Sequence, residues 1–345
     1  MTATATSSVA RSSPSPAAIT DAKDGNGIPT ISNRAPLDEA RKMEDWVLYH
    51  PVYTDDQVKA VRVTRHLSKT FSDKLAAGLV KVFRAGFDVV TGYRHSSPEA
   101  ALKAAAKQGK TNLSLAEMRR AGLVMNDKQW LNRILFLEAI AGVPGMVAAT
   151  LRHLRSLRLM KRDGGFIHQL LEEAENERLH LLTFLKIANP SLFFRMVVLG
   201  AQGVFYNLFF LSYLVSPKTC HRFVGKLEEE AVITYTMCIN EVESGRLPEW
   251  ENKPAPRIAI DYWRMKEDAK LLDVIYAVRA DEAGHRFLNH TFANVNDQDF
   301  NPLAIKRPDS QSQSALPGFT REEGLNWYNA ASHELKAGRK ASPSQ

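Results

Sequence analysis

Two Glu-x-x-His elements, Glu177 to His180 in EAENERLH and Glu282 to His285 in ADEAGH, lie far apart in apolar, helix-forming sequence. A spacing of i, i+3 puts both side chains of each element on one helix face, where together they can grip an ion. Two further glutamates stand in equally apolar helical stretches, Glu138 in RILFLEAI and Glu228 in GKLEEEAV. Four helices offering Glu, Glu-x-x-His, Glu and Glu-x-x-His supply what a carboxylate-bridged pair of metal ions inside an all-α bundle requires. The helical neighbours of Glu138 are Ile134, Leu135, Ala141 and Gly142, and those of Glu228 are Val224, Gly225, Ala231 and Val232. An ionised carboxylate buried among such groups is unfavourable by on the order of several kcal/mol unless a cation or a donor compensates it.

Two divalent ions neutralise four carboxylates, and two neutral imidazoles complete the set. Oxygen-rich ligation with little imidazole suits iron or manganese, whereas zinc more usually recruits Cys or more His. With ten histidines in the chain, roughly one Glu-x-x-His is expected by chance, so neither element alone carries weight; the ordered set of four does. The run Glu228-Glu229-Glu230 leaves the register among adjacent glutamates open.

Those side chains need helices to hold them. A long helix is expected from about 127 to 159, although Gly142, Pro144 and Gly145 interrupt it; local rules read GVPG as a turn, and a kinked helix is the alternative. A second helix should cover about 165–188, ended by Asn189-Pro190, with others at about 219–244 and 264–294. No run of residues reads as a strand. From Phe71, the residues Leu75, Leu79, Val82, Phe83, Phe87 and Val90 recur at helical spacing opposite Lys74, Lys81, Arg84 and Asp88. Such a helix lies in a membrane interface or faces a core. Residues 197–215 form an uncharged run that just meets the length needed to cross hydrocarbon. Gln202, Asn207 and the adjoining Arg195 favour a helix with one face in lipid, a single span being the rival.

At 345 residues and 44% hydrophobic content, the chain can form one large domain with extensions. Residues 1–35, rich in Ala, Ser, Thr and Pro, read as a disordered segment that could target a mitochondrion. Residues 36–68 form a polar arm, 69–296 the bundle, and 297–345 a polar, loosely ordered extension. The net charge of +7 suits an anionic membrane surface. No zinc finger or aromatic-basic stripe is present, which argues against a nucleic-acid partner. The cysteines are Cys220 and Cys238, with no C-x-x-C and no disulfide framework.

The stretches LEAIAGVPGM, LEEAENERLHLLTF, HRFVGKLEEEAV and RADEAGHRFLNH closely resemble the four iron-binding motifs of the alternative oxidases, in order, within about residues 45–296. The resemblance implies an all-α, ferritin-like four-helix bundle carrying a di-iron centre, with additional membrane-surface helices near 70–93 and 192–215. It implies a homodimer on the matrix side of the mitochondrial inner membrane that oxidises ubiquinol and reduces O2 to water without pumping protons. Two iron ions would be held by Glu138, Glu177, His180, Glu228, Glu282 and His285. Tyr235, two turns after Glu228 on the same face, matches a redox-active tyrosine. Asn176 and Asp281 match positions that orient ligands. The quinol pocket would take Arg133, Leu137, Leu227, Glu230, Ala231 and Thr234. Plant members carry a regulatory cysteine upstream of the first motif, and none precedes Cys220 here; with the extended termini, that departure looks fungal. The rival functions are another di-iron carboxylate hydroxylase, an iron-binding protein, or a helical membrane scaffold holding no metal.

Overall fold

The computed structural model describes residues 52–91, 103, 106, 114–296 and 298–341. The segment 1–35 and the first part of the arm fall outside them. The described residues are all-α, with one isolated bridge between Pro254 and Lys270. In chain order the helices are α1 (Asp55–Lys59), α2 (Phe71–Thr91), α3 (Leu115–Arg120), α4 (Asp127–Leu159), α5 (Phe166–Leu185) and α6 (Leu192–Val215). They continue with α7 (Pro217–Glu243), α8 (Pro248–Glu251), α9 (Arg257–Trp263), α10 (Leu271–Asn294), α11 (Ser310–Ala315) and α12 (Arg321–Ala341). The chain divides into two compact units. One is His50–Ala331; of the other, Met1–Tyr49 with Ser332–Gln345, the described part is residues 332–341 at the end of α12.

Four long helices build the bundle as two tight pairs, α4 along α5 and α7 along α10, while backbones of different pairs approach each other little. Composition explains the first pair. A Cβ on Gly145 would lie 2.6 Å from the carbonyl oxygen of Leu170, and one on Gly142 3.4 Å from that of Ala174. The GVPG sequence is therefore a site of close helix approach, not a turn: α4 runs through it unbroken, with Pro144 inside and buried. The turn expectation fails because packing against α5 outweighs the local preference of Gly and Pro.

α2 and α6 lie on the outside, α2 against α7 and α6 against α4 and α7. Their inner residues, Ala76, Val80, Phe205, Phe209 and Tyr213, join the core, while Phe71, Val82, Phe193, Leu199, Val204 and Leu211 are exposed. α6 is long and apolar enough to cross a membrane, and little of it is buried. Its polar side chains are satisfied by protein: Gln202 Nε2 donates to Ala139 O at 2.5 Å and Asn207 Nδ2 to Gly203 O at 2.8 Å.

Two boundaries differ from expectation. The helix expected from 264 begins at Leu271, because α9 ends at Arg264 in the left-handed region (φ 50°) and a loop intervenes. The C-terminal extension, expected to be loose, forms α11 and α12 and contributes Leu303 and Phe319 to the core. Its few apolar residues are spaced for docking on a surface supplied by other helices, which composition alone does not reveal.

Candidate metal centre

α4 contributes Glu138, α5 contributes Glu177 and His180, α7 contributes Glu228, and α10 contributes Glu282 and His285. All six are buried. Their donor atoms fall into two overlapping groups, Glu138 with Glu177, His180 and Glu282, and Glu228 with Glu177, Glu282 and His285. Within each group the atoms lie within 4.8 Å of one another. Glu177 and Glu282 belong to both, so these two carboxylates are placed to bridge neighbouring ions. His180 Nδ1 lies 3.2 Å from Glu138 Oε2 and 3.5 Å from both Glu177 Oε2 and Glu282 Oε1. His285 Nδ1 lies 2.7 Å from Glu177 Oε1.

Among the described residues, no Lys or Arg pairs with any of the four carboxylates, and Glu138, Glu177 and Glu282 pair with the two histidines. The consequence is a strained proton balance. Burial, then the charge of Glu177, pushes the Glu138 carboxyl well up. Burial, then the charges of Glu282 and Glu177, does the same to Glu228. Burial opposes ionisation of Glu177, but the close approach of His180 and His285 overcomes it and holds that carboxyl low. Burial likewise works against charging of the two imidazoles, and their carboxylate contacts raise both well above the ordinary range. Protons stand in for a missing positive charge. Glu138 Oε2, both Glu177 oxygens, His180 Nδ1 and His285 Nδ1 make no hydrogen bond of good geometry and lie within the two overlapping groups. Such convergent, unsatisfied donors fit metal ions better than they fit one another.

The surrounding groups orient the ligands. His180 Nε2 donates to Asp281 Oδ2 at 3.0 Å, leaving Nδ1 to face the carboxylates. Asp281 also accepts from Asn176 Nδ2 (3.0 Å), Trp263 Nε1 (3.0 Å) and Tyr53 OH (2.6 Å). Asn176 donates in addition to Tyr262 OH. Asp281 precedes Glu282 in sequence yet serves the histidine of the other motif, so it braces α10 against α5. Sequence spacing gave no sign of Tyr53, Tyr262 or Trp263, which approach from the arm and from α9. Tyr235, fully buried, donates its hydroxyl to Glu138 Oε1, and burial followed by that carboxylate's charge raises its pKa strongly.

The remaining expected residues line the outer side of α7 and α4. Leu137 and Leu227 are half-buried; Ala231 and Thr234 are buried. Thr234 Oγ1 donates to Glu230 O at 2.8 Å, so the hydroxyl offers lone pairs, not its proton, to a ligand. Arg133 is buried; its Nη1 pairs with Asp88 Oδ1 at 2.9 Å, and its guanidinium lies over the Phe87 ring. Glu230 pairs with Arg84 and with Arg65 at 3.0 Å, and Arg84 reaches Asp88 at 3.6 Å. An unbroken chain, Arg65–Glu230–Arg84–Asp88–Arg133, thus joins the arm, α2, α4 and α7. The sequence placed Arg84 and Asp88 on the face opposite the apolar stripe; their i, i+4 spacing was the available signal that they pair.

A family model described as alternative oxidase matches residues 53–294. The chain is similar to the protein named "Alternative oxidase, mitochondrial" of Cryptococcus neoformans var. grubii, 51% identical over 302 residues, 87% of this chain and 74% of that one. It is 53% identical over 284 residues to the protein of the same name from Ajellomyces capsulatus, covering 79% of this chain and 76% of the relative. The corresponding Aspergillus niger protein is 51% identical over 284 residues, 82% and 76% of the two chains.

Proposed function

Because the chain belongs to the alternative oxidase family, we propose that it is a mitochondrial, non-electrogenic ubiquinol oxidase that reduces O2 to water at a pair of iron ions. The observation that carries this reading is the pair of overlapping, buried Glu/His groups that share Glu177 and Glu282. Iron bound there supplies the one-electron redox steps and the oxygen chemistry. Reduction of one O2 to two waters consumes four electrons and four protons, which two quinols provide. Glu138, Glu177, His180, Glu228, Glu282 and His285 hold the metals, and Asp281 with Asn176 keeps the His180 ring turned toward them.

Quinol binds in the space bounded by Leu137, Leu227 and Ala231, which accept its ring. Arg133 donates to a quinone oxygen, Thr234 accepts from a quinol hydroxyl, and Glu230 takes a proton as the quinol is oxidised. Tyr235, hydrogen-bonded to Glu138, is one residue from the metals and serves as an additional one-electron donor. Its phenolic proton passes to Glu138 when the electron leaves.

The exposed apolar faces of α2 and α6 attach the protein to one leaflet, which we assign to the matrix side of the inner membrane. α6 rests on α4 and α7 along its length, so placing it across the bilayer would drag the charged bundle into hydrocarbon; a one-leaflet attachment avoids that cost. Exposed Met146, Leu154, Leu157 and Leu171 on α4 and α5 suit a second copy of the chain, giving a homodimer. A chain attached to one leaflet offers no route for pumping protons, and the reaction free energy leaves as heat.

The test is iron analysis of protein purified in detergent, alongside oxygen uptake driven by a short-chain quinol. Two irons per chain with uptake that disappears in Glu177→Ala is the expected outcome. Unchanged iron in that variant would overturn the ligand assignment, and iron without quinol-dependent uptake would favour an iron-binding protein instead.

A further inference from the structure

The two Glu-x-x-His elements lie on helices of different pairs, α5 and α10, whose backbones meet little. Near the metals the seam is bridged by Asp281 with His180 and Asn176, and one turn further by Asn289, whose Nδ2 donates to Glu173 at 2.8 Å. Beyond that, toward the start of α5 and the end of α10, the helices meet through apolar packing, Phe166 on Phe292 with ring centroids 4.9 Å apart. The C-terminal segment adds polar anchors to both helices. On the α5 side, Gln169 Nε2 donates to Leu303 O at 2.8 Å, Asn301 Nδ2 to Gln169 Oε1 at 3.0 Å, and Arg307 grips Glu172 with both Nη atoms. On the α10 side, Phe319 packs on Phe287 at 4.9 Å between ring centroids, and its N–H donates to Thr291 Oγ1 at 2.9 Å. Asn294 Nδ2 donates to Phe319 O at 2.7 Å. Gly318 permits the approach: its φ is +150°, and a Cβ there would meet His290 at 2.7 Å.

Arg286 makes the arrangement specific. It follows His285 directly, is fully buried, and among the described residues its hydrogen bonds go to backbone carbonyls. Its Nη2 donates to Ser314 O at 2.8 Å and its Nη1 to Arg62 O at 3.0 Å, carbonyls from the two terminal segments. A guanidinium buried in this way is unfavourable unless its carbonyl cradle is present. The cradle therefore fixes the rotation of α10 at the residue after a ligand.

We propose that the segment from Asn301 to Phe319 is a strap that sets the spacing of the two Glu-x-x-His helices, with Arg307 and Arg286 as its positioning residues. It lies beyond the family-matched stretch 53–294, and the proposal rests on the metal reading given above. A metal pair demands that ligands on α5 and α10 hold their separation closely, and a strap of polar anchors beside the Phe166–Phe292 contact resists the splaying that would release an ion. The strap reaches α10 at Arg286, the residue after His285, and α5 at Glu172, between one and two turns before Glu177, so losing one polar anchor loosens the ligand spacing more than it weakens the fold.

The test uses the full chain, purified with iron, and follows iron transfer to a coloured chelator together with the melting temperature. Glu172→Gln and Arg307→Gln are expected to speed iron release several-fold with little change in melting, since a partly exposed ion pair contributes about 0–1 kcal/mol to stability. The exchange Glu172→Arg with Arg307→Glu should return release to near the wild-type rate. Thr291→Val, which removes the Phe319 contact without changing volume, should speed release from the α10 side. Release at the wild-type rate in all three single variants, or faster release only in proportion to lost melting temperature, overturns the strap. Wild-type protein that retains no iron would instead overturn the metal reading on which it rests.

Discussion

Glu228, Glu229 and Glu230 are consecutive on α7 and meet three different environments. Glu228 turns into the bundle among other acids, where no Lys or Arg pairs with it. Glu229 is buried too, but Lys226 Nζ lies 3.1 Å from it, and the His66 backbone N–H and His290 Nε2 both reach it. Glu230 points outward between Arg65 and Arg84. Helical geometry separates the three by about 100° each, so one short acidic run serves a metal centre, a structural network and the outer charge chain. The difference teaches how to tell a ligand from a buried salt bridge. An acid matched by a protein cation is complete, whereas acids gathered without one require charge from outside the chain.

The sharpest way to break this comparison is to neutralise the two outer members separately. Loss of a group that merely orients a ligand costs about 10–100-fold in metal affinity or activity, so Glu228→Gln, which removes a ligand itself, should exceed that loss in both iron content and oxygen uptake. Glu230→Gln should keep its full iron and raise the quinol KM, because its partners are arginines and not metals. Iron lost equally from both variants, measured by metal analysis, would erase the distinction.

Asp281 tests the same contrast one shell out. It is a buried carboxylate, like Glu228, yet it is completed by protein donors: His180, Asn176, Trp263 and Tyr53. Asp281→Asn keeps the shape but turns one acceptor into a donor facing donors. Iron affinity should fall about 10–100-fold with the fold intact by circular dichroism; an unchanged affinity would mean that His180 needs no such partner.

How much of this was legible beforehand follows from what each signal depends on. The six clustered Glu and His positions were readable because i, i+3 spacing and apolar neighbours are properties of single helices. The direction of each glutamate in the 228–230 run was not, since it depends on what α2, α10 and the arm bring to each face. The continuity of α4 through Pro144 was hidden for a related reason: Gly142 and Gly145 answer to Ala174 and Leu170 on another helix. Tyr53 and Trp263 carry no local mark at all, because their importance comes from the arm and from α9, which deliver them to Asp281. The strap was missed because polar composition suggested disorder while Phe319, Leu303 and Trp327 were enough to dock it.

Glu229's network gives a pH test. Burial lowers His290 to about 4 and, in the same core, His221 to about 4. A histidine depressed in the folded state contributes stability that is fully present above its unfolded value of 6.5 and lost as pH falls from there through about 4. At the limit each amounts to roughly 3 kcal/mol. Melting temperature should therefore drop between pH 6.5 and 4, and His290→Gln should flatten the slope while leaving any acid release of iron unchanged. An identical slope in the variant would show that His290 already carries its proton in the native protein.

The smallest effect belongs to the most exposed member of the outer chain. Arg65 is 59% exposed at its side chain and shares Glu230 with Arg84, which is only 21% exposed. Water screens the first pair and much less the second, and pairs of the first kind contribute about 0–1 kcal/mol. Arg65→Gln should therefore leave melting and iron content at wild-type values, with at most a slight rise in quinol KM, because Arg84 still holds the carboxylate. Arg84→Gln removes the inner partner and also frees Asp88 from one of its two arginines, so its KM should rise distinctly more. If the two variants behave alike, Glu230 is held by the arm and not by α2, and the charge chain depends on its exposed end.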